Sequence, residues 1–535
     1  MASATSTPTR WPLAVIVIAL LAAALHTVPL VTAQRTVPEG WRFTGIHQSS
    51  PDLMQYRQWF RQTQLEGPVI SNRLTSEPHQ PYMLVVFAWS IGKVAAATGI
   101  APEFVYAYTG CLFAFLLVLV LYRLVEVFVD RPGPRWWIFG ALLLGGGLGG
   151  HLKLLLRFEE VRRLPGVGRL LWEPMLDTNL FEDYRGQFVF STFFDTHFLL
   201  AWLCTSASVL LLYRAIEKPS PVRLSVAAAL AAFTGVVHLH SGLSVVVIAA
   251  GIAWMCHVGR QHAREALIAL VVVGGAAVAG VAAQALLMGP GGLPTPPWRA
   301  RPIEPSILFL AYTLQWIMAA WALTRLWPKP SLGTCALTGW VVGCLVYTFS
   351  GPFWMYPDRG TMSLLIPITI LGGLGYFANR LRPSAMALAV GAFFLLVTPV
   401  WTIAHEISSA AFLPTLNAKF VNADHDAIVA AAKAKAGKDD LLLADELSLL
   451  WLGPEYPGMH YCGHFFLTVD YDRKQAEVTQ FYKDDAAAQD AFLRAHGVKF
   501  LFVAARNAPA SYAGRPGLEP VIANAIGTLF AVDLR

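Results

Sequence analysis

Apolar stretches of about 20 residues recur along most of this 535-residue chain. A helix needs about that many to cross the hydrocarbon core of a bilayer. Inside that core every backbone N–H and C=O must be satisfied internally. A chain with many such stretches is therefore confined to a bundle of helices. Eleven candidate spans read as 11–33, 103–125, 136–156, 190–213, 223–238, 241–257, 265–288, 305–325, 332–350, 361–379 and 384–404. Two of them, 223–238 and 241–257, are short and meet at "HLHSG", which reads as a tight turn. Only 14% of residues are charged, against about 25% in a soluble domain. Mean hydropathy is +0.50.

Lys and Arg gather in cytoplasmic loops. With Arg10 and the N-terminus in the cytoplasm, the loops "YRLVEVFVDRPGPR", "YRAIEKPSPVR", "HVGRQHARE", "TRLWPKP" and "NRLRPS" all fall inside, and all are basic. This bias accounts for the net charge of +6 without a nucleic-acid partner. The stretch 81–99 would invert every later loop if it spanned; it carries Lys93 and reads as a juxtamembrane or re-entrant helix on the outer face. "VTAQ" resembles a signal-peptide cleavage site, but the long apolar run before it reads as a retained span. Five of the six cysteines lie in or beside apolar spans, with neither a disulfide framework nor a CxxC metal pattern.

The outer side then holds loops 34–102 and 157–189 and a tail, 405–535. The tail alternates helical patterns ("DDAAAQDAFLRAHG") with short apolar strands ("VKFLFVAA", "GTLFAVDL"). The expected fold is mainly α: a polytopic transmembrane bundle over 1–404 with a small extracytoplasmic α/β domain over 405–535.

Candidate site residues fall on that outer side. "SSPDLMQYRQWF" starts a helix well, with Ser50 to cap, Pro51 at the first position and Asp52 in the first turn. That accounts for Asp52 without a function. It does not account for Gln55, Tyr56 and Trp59 on the same face, a set suited to sugar hydroxyls and ring faces. "LTSEPHQPYM" adds Glu77 and His79 ahead of an apolar helix, where a charged head with a lipid tail would fit. Glu182 and Asp183 are adjacent acids, while Asp195 and His197 sit at the start of an apolar span. An ionisable residue within a span points to function. His238 and His240 are turn histidines or two ligands of an incomplete metal site. Arg359 suits a phosphate oxygen pair or an ion pair with a neighbouring helix end. No P-loop, GxSxG, HExxH or dinucleotide fingerprint occurs in a sensible context.

This arrangement resembles the GT-C superfamily of membrane glycosyltransferases. "SPDLMQYRQWF", "LTSEPHQPYM", "FVFSTFFDTHF" and "PDRGTMSLLIP" look like segments of its uncharacterised bacterial members. More distantly, the chain is similar to protein O-mannosyltransferases and aminoarabinose transferases. The resemblance implies an inverting transferase of the bacterial cytoplasmic membrane that takes a sugar from a polyprenyl-phosphate-linked donor to a glycan, lipid or protein acceptor. It implies Asp52 as the base, with Arg359 steadying the leaving phosphate. Asp195 or Asp183 would stand for the second acid that some members use with a divalent metal, Mg or Mn. Asp52 lacks the acidic neighbour that many such enzymes carry. A transporter or flippase, or a non-catalytic membrane subunit, is the alternative. The mid-span regions are mostly Ala, Leu, Val and Gly, with few of the polar groups a transport path uses.

Overall fold

A computed structural model of the chain describes residues 11–45, 51–83, 86–146, 148, 151, 196–288, 305–350, 357–361, 363–378, 385–411, 419–465 and 467–534. In chain order the elements begin with α1 (Leu13–Arg35), β1 (Trp41–Phe43), α2 (Pro51–Leu65), α3 (Val86–Thr98), α4 (Pro102–Phe128) and α5 (Pro132–Leu144). Next come α6 (Thr196–Glu217), α7 (Pro221–Val237), α8 (Leu239–Val258) and α9 (Ala263–Met288), the last with a π segment at Leu270–Gly274. Then follow α10 (Pro305–Ala311), α11 (Thr313–Leu326), α12 (Leu332–Phe349), a 3-10 turn (Pro357–Thr361), α13 (Leu365–Ala378) and α14 (Ala385–Ala411). The tail holds β2 (Phe420–Asn422), α15 (Ala423–Lys435), β3 (Leu441–Leu443), α16 (Glu446–Leu452) and β4 (Met459–His460). It ends with α17 (Tyr471–Phe481), α18 (Ala486–His496), β5 (Val498–Ala504), β6 (Leu518–Ala523) and β7 (Gly527–Val532).

Contacts divide the chain into two compact units. One is Met1–Thr27, Tyr108–Gln284 and Ala300–His405; the other is Val28–Ala107, Ala285–Arg299 and Glu406–Arg535.

The first unit is the helix bundle. Among the described residues seven helices are long and apolar enough to cross a membrane. The other four of the eleven stretches differ from expectation in particular ways. The stretch 136–156 is helical over Pro132–Leu144, and its remainder lies mostly outside the described residues. The stretch 223–238 is the 17-residue α7. The stretch 305–325 is two helices, because Tyr312 leaves helical geometry at φ −130°, ψ 26°. The last falls within α14.

Local sequence sets the starts. Ser220 caps α7 by accepting from the Arg223 N–H at 3.3 Å, with Pro221 behind it, and Ser331 caps α12 from Thr334 at 3.1 Å. Between α8 and α12 the backbones nearly touch. A Cβ at Gly339 would meet the Gly251 carbonyl oxygen at 2.5 Å, and one at Gly343 would meet the Val247 carbonyl oxygen at 2.5 Å. Gly339 and Gly343 form a GxxxG repeat, the spacing that puts two small residues on one face for close approach in lipid.

The second unit is mixed. Its five-stranded sheet runs β4-β3-β5-β7-β6, with β3 parallel to β4 and β5, and β7 antiparallel to β5 and β6. β3 is three buried leucines, as a parallel strand covered on both faces requires. The first long loop, 34–102, belongs to this unit. β1 pairs antiparallel with β2, Trp41 opposite Asn422 and Phe43 opposite Phe420. α3, which covers most of 81–99, has 13 residues. It rises about 20 Å, less than the hydrocarbon thickness.

Candidate functional site

Four of the sequence-selected residues come together at helix ends in the bundle. His197 lies in the first turn of α6. His238 is the single residue between α7 and α8, ending one and capping the other. His240 opens α8, and Arg359 lies in the 3-10 turn before α13. The turn is seated on the end of α12, where a Cβ at Gly360 would meet Tyr347 at 2.8 Å.

Phe198 is the shared surface. The Arg359 guanidinium sits 4.6 Å above its ring, a cation–π contact. The His197 ring is 3.9 Å from it, and the His238 ring meets it edge-on at 6.2 Å. The two turn histidines are 6.0 Å apart.

Hydrogen bonds fix their orientation. His238 Nδ1 accepts the Ser241 N–H at 3.2 Å and lies 2.8 Å from the Ser241 hydroxyl. That nitrogen is therefore unprotonated, and in the neutral ring the proton sits on Nε2. His240 Nδ1 lies 3.0 Å from the Tyr347 hydroxyl. A permanent cation, three imidazoles and an aromatic face in one place can hold an oxyanion such as phosphate.

Sequence reading missed three buried polar residues of the same unit. Tyr347 is fully buried. His26 and Thr196 are also buried, and both face Gly110: a Cβ there would collide with the His26 ring and meet Thr196 Oγ at 2.6 Å. A histidine in the middle of an apolar span was the available signal for His26.

The residues selected from the first loop have other company, within the second unit. Gln55 is 8% exposed. The Tyr56 ring stacks on Phe60 and Tyr106 and stands edge-on to Trp59 at 5.3 Å. The Glu77 carboxylate pairs with Lys474 and accepts from the Thr75 hydroxyl. Burial pushes the Glu77 carboxyl up, but these partners outweigh it and hold it below the ordinary carboxylate range. His79 Nε2 accepts the Asn72 N–H at 2.7 Å, while Nδ1 lies 3.0 Å from the Glu77 carbonyl, so the ring is tied into its loop.

The same unit holds a buried ion network that no motif announced. Arg57 Nε donates to Glu103 at 3.1 Å, Arg61 approaches Glu103 and Glu455 at 3.3 and 3.2 Å, and Lys433 reaches Glu455 at 2.5 Å. Burial pushes the Glu455 carboxyl up; Arg61, Arg57 and Lys433 overcome this and bring it to about 2.

Asp52 lies in the first turn of α2, but its side chain is outside the described residues. So are Glu182, Asp183 and Asp195. Among the described residues no group of three His, Cys, Asp or Glu is placed to hold a metal ion.

No protein-family model matches this sequence, and no curated protein matches it. Solved structures do. The chain is similar to the Archaeoglobus fulgidus oligosaccharyltransferase complexed with Zn and sulfate, with a TM-score of 0.56 and 10% identity over 93% of this chain and 68% of that one. The apo form gives a TM-score of 0.54 and 12% identity over 94% and 71%. At this identity the likeness shows the fold alone, a polytopic helical fold consistent with the GT-C type, and the fold by itself does not assign an activity.

Proposed function

We propose that this protein is a membrane glycosyltransferase that moves a sugar from a polyprenyl-phosphate-linked donor to an acceptor hydroxyl at the outer face of a bacterial cytoplasmic membrane. The observation that carries this reading is the gathering of Arg359, His197 and His238 around Phe198, with His240 beside His238, within a bundle of the oligosaccharyltransferase type.

In this reading the acceptor oxygen attacks the anomeric carbon as the bond from that carbon to the phosphate oxygen breaks. The sugar inverts, the polyprenyl phosphate leaves with the bonding pair, and the acceptor proton passes to the Asp52 carboxylate. Negative charge grows on the departing phosphate. The Arg359 guanidinium lowers that barrier if it binds the phosphate more strongly in the transition state than in the donor. The histidines supply N–H donors around it. Gln55, Tyr56, Glu77 and His79 act by shaping the first loop.

Asp195 or Asp183 would hold a divalent metal where one is used, Mg or Mn, or Zn as in the Archaeoglobus protein. Such an ion would supply charge neutralisation at the phosphate. The described donor set does not complete a site for it, and no step is routed through it.

The test is transfer from a panel of radiolabelled polyprenyl-phosphate hexoses and pentoses, using the full-length protein in vesicles. Asp52→Asn should lower turnover by about 10²–10⁴-fold with donor binding retained. Arg359→Ala should weaken donor binding and turnover together. Full turnover by the Asp52 variant removes it as the base. Absence of both binding and transfer across the panel overturns the reading.

A further inference from the structure

A second concavity lies in the bundle, between α5, α11, α13 and α14. A cavity of about 410 Å3 is walled by Trp137, Ile138, Leu314, Met318, Phe377 and Leu395, with further small and apolar residues. It adjoins another of about 760 Å3 that shares Trp137, Leu314, Met318 and Leu395. Such volumes are ordinary for a small-molecule site. Trp137 is 64% exposed at its edge. No lining residue of either is charged.

Three polar groups interrupt this apolar lining. Gln315 is 5% exposed and Thr369 is 7% exposed, and both line the cavity with Tyr376. Gln315 Nε2 reaches the Gly146 carbonyl oxygen at 3.4 Å. Its Oε1, the Thr369 hydroxyl and the Tyr376 hydroxyl are buried without a hydrogen-bond partner among the described residues. A buried polar atom without a partner is costly, so three beside one cavity call for a partner inside it.

Their levels match. A Cβ at Gly372 would meet Met318 at 2.9 Å, and Gly375 lies against Ala322, so α11 and α13 run parallel here. Gln315 and Thr369 each lie three residues before the Met318–Gly372 contact and so share one level. Tyr376 follows Thr369 by seven residues, roughly 10 Å further along α13. α13 leads away from Arg359, so the cavity extends to the far part of that helix from the phosphate-type cluster.

We propose that this cavity binds a lipid chain bearing a neutral hydroxyl within its apolar body. A hydroxyl donates to Gln315 Oε1 and accepts from Thr369 at the same level, and an ester or acid carbonyl nearer the head accepts from Tyr376. A polyprenyl chain has no oxygen along its length and would leave all three groups unsatisfied. The occupant is thus chemically distinct from the proposed donor.

The experiment uses the purified full-length protein and native mass spectrometry. The probes are a hydroxytetradecanoyl phosphatidylglycerol, its tetradecanoyl counterpart, the free hydroxytetradecanoic acid and a polyprenyl phosphate. The hydroxylated phospholipid or the free hydroxy acid should bind at least tenfold more tightly than the plain chain, and the better of the two identifies the source. Thr369→Val, close in shape, and Tyr376→Phe should bring that ratio towards one, while Ala141→Phe should block both chains. Equal affinity for hydroxylated and plain chains overturns the proposal. So does a preference that survives Thr369→Val, or displacement of both by polyprenyl phosphate. If Ala141→Phe fails to fold, the Thr369 variant still decides. Transfer assayed in parallel keeps the two readings separable.

Discussion

The bundle and the mixed unit are held by opposite means. In the bundle, α8 and α12 approach through glycines, and the contacts are backbone against backbone. In the mixed unit the first loop and the tail are joined by charge and hydrogen bonds: Arg57 and Arg61 with Glu455, Lys474 with Glu77, Asn72 with the Leu467 carbonyl at 2.7 Å. Lipid offers no hydrophobic drive between apolar helices, so close packing must supply the attraction. The mixed unit draws on ion pairs, which stabilise only where each buried charge keeps its partner.

The largest expected effect tests that last condition. Glu455→Ala leaves Arg57, 6% exposed, and Arg61 short of a counter-charge. It should destabilise the mixed unit by about 3–5 kcal/mol. Hydrogen exchange should show faster opening in peptides from 51–66 and 446–460. An equal rise throughout the bundle would break the comparison.

The next effect is a pH dependence confined to one region. His460 is fully buried and donates through Nδ1 to the Arg73 carbonyl at 2.5 Å. Burial drives its pKa down, the hydrogen bond opposes this and the Arg73 charge adds to it, giving about 4 against 6.5 for an ordinary histidine. The unfolded chain therefore takes up the proton first as pH falls. Stability is full above pH 6.5 and declines towards pH 4, by about 3 kcal/mol in total. Glu455 acts in a lower window: with a folded pKa near 2 against 4.5, its contribution is lost as pH falls from 4.5 towards 2. Exchange followed from pH 7 to 4.5 should show the decline in the mixed unit, and His460→Gln should flatten it. An unchanged slope in that variant would assign the dependence elsewhere.

The smallest effect sharpens the other side. Gly251→Val forces α8 and α12 apart and should cost about 1–3 kcal/mol. It should be read as a lower bundle melting temperature with exchange in the mixed unit unaltered. No change would mean that the glycine contacts are incidental.

What the sequence made legible follows from range. Spans announce themselves within 20 residues because lipid penalises every charge, and capped starts such as Ser220-Pro221 are equally local. The joining of the first loop to the tail is not local: Arg57 and Glu455 carry no motif, and neither reveals that the other is its partner. His197, His238, His240 and Arg359 were found because each is out of place beside an apolar span. Phe198, which Arg359, His197 and His238 share, looks like any other span residue. His26 met the same criterion and was overlooked. Tyr312 shows the reverse limit, since nothing in an apolar run predicted that the helix would break there.

The pairing of β1 with β2 has a consequence in time. Thr44 bonds to the Lys419 carbonyl 375 residues further on. At about 5–20 residues per second of synthesis, the first loop waits roughly 20–75 s for the strand that completes it. During that wait Arg57 has Glu103 for company but no Glu455. The exposed state of this loop thus reports whether the strand around Phe420 has been made.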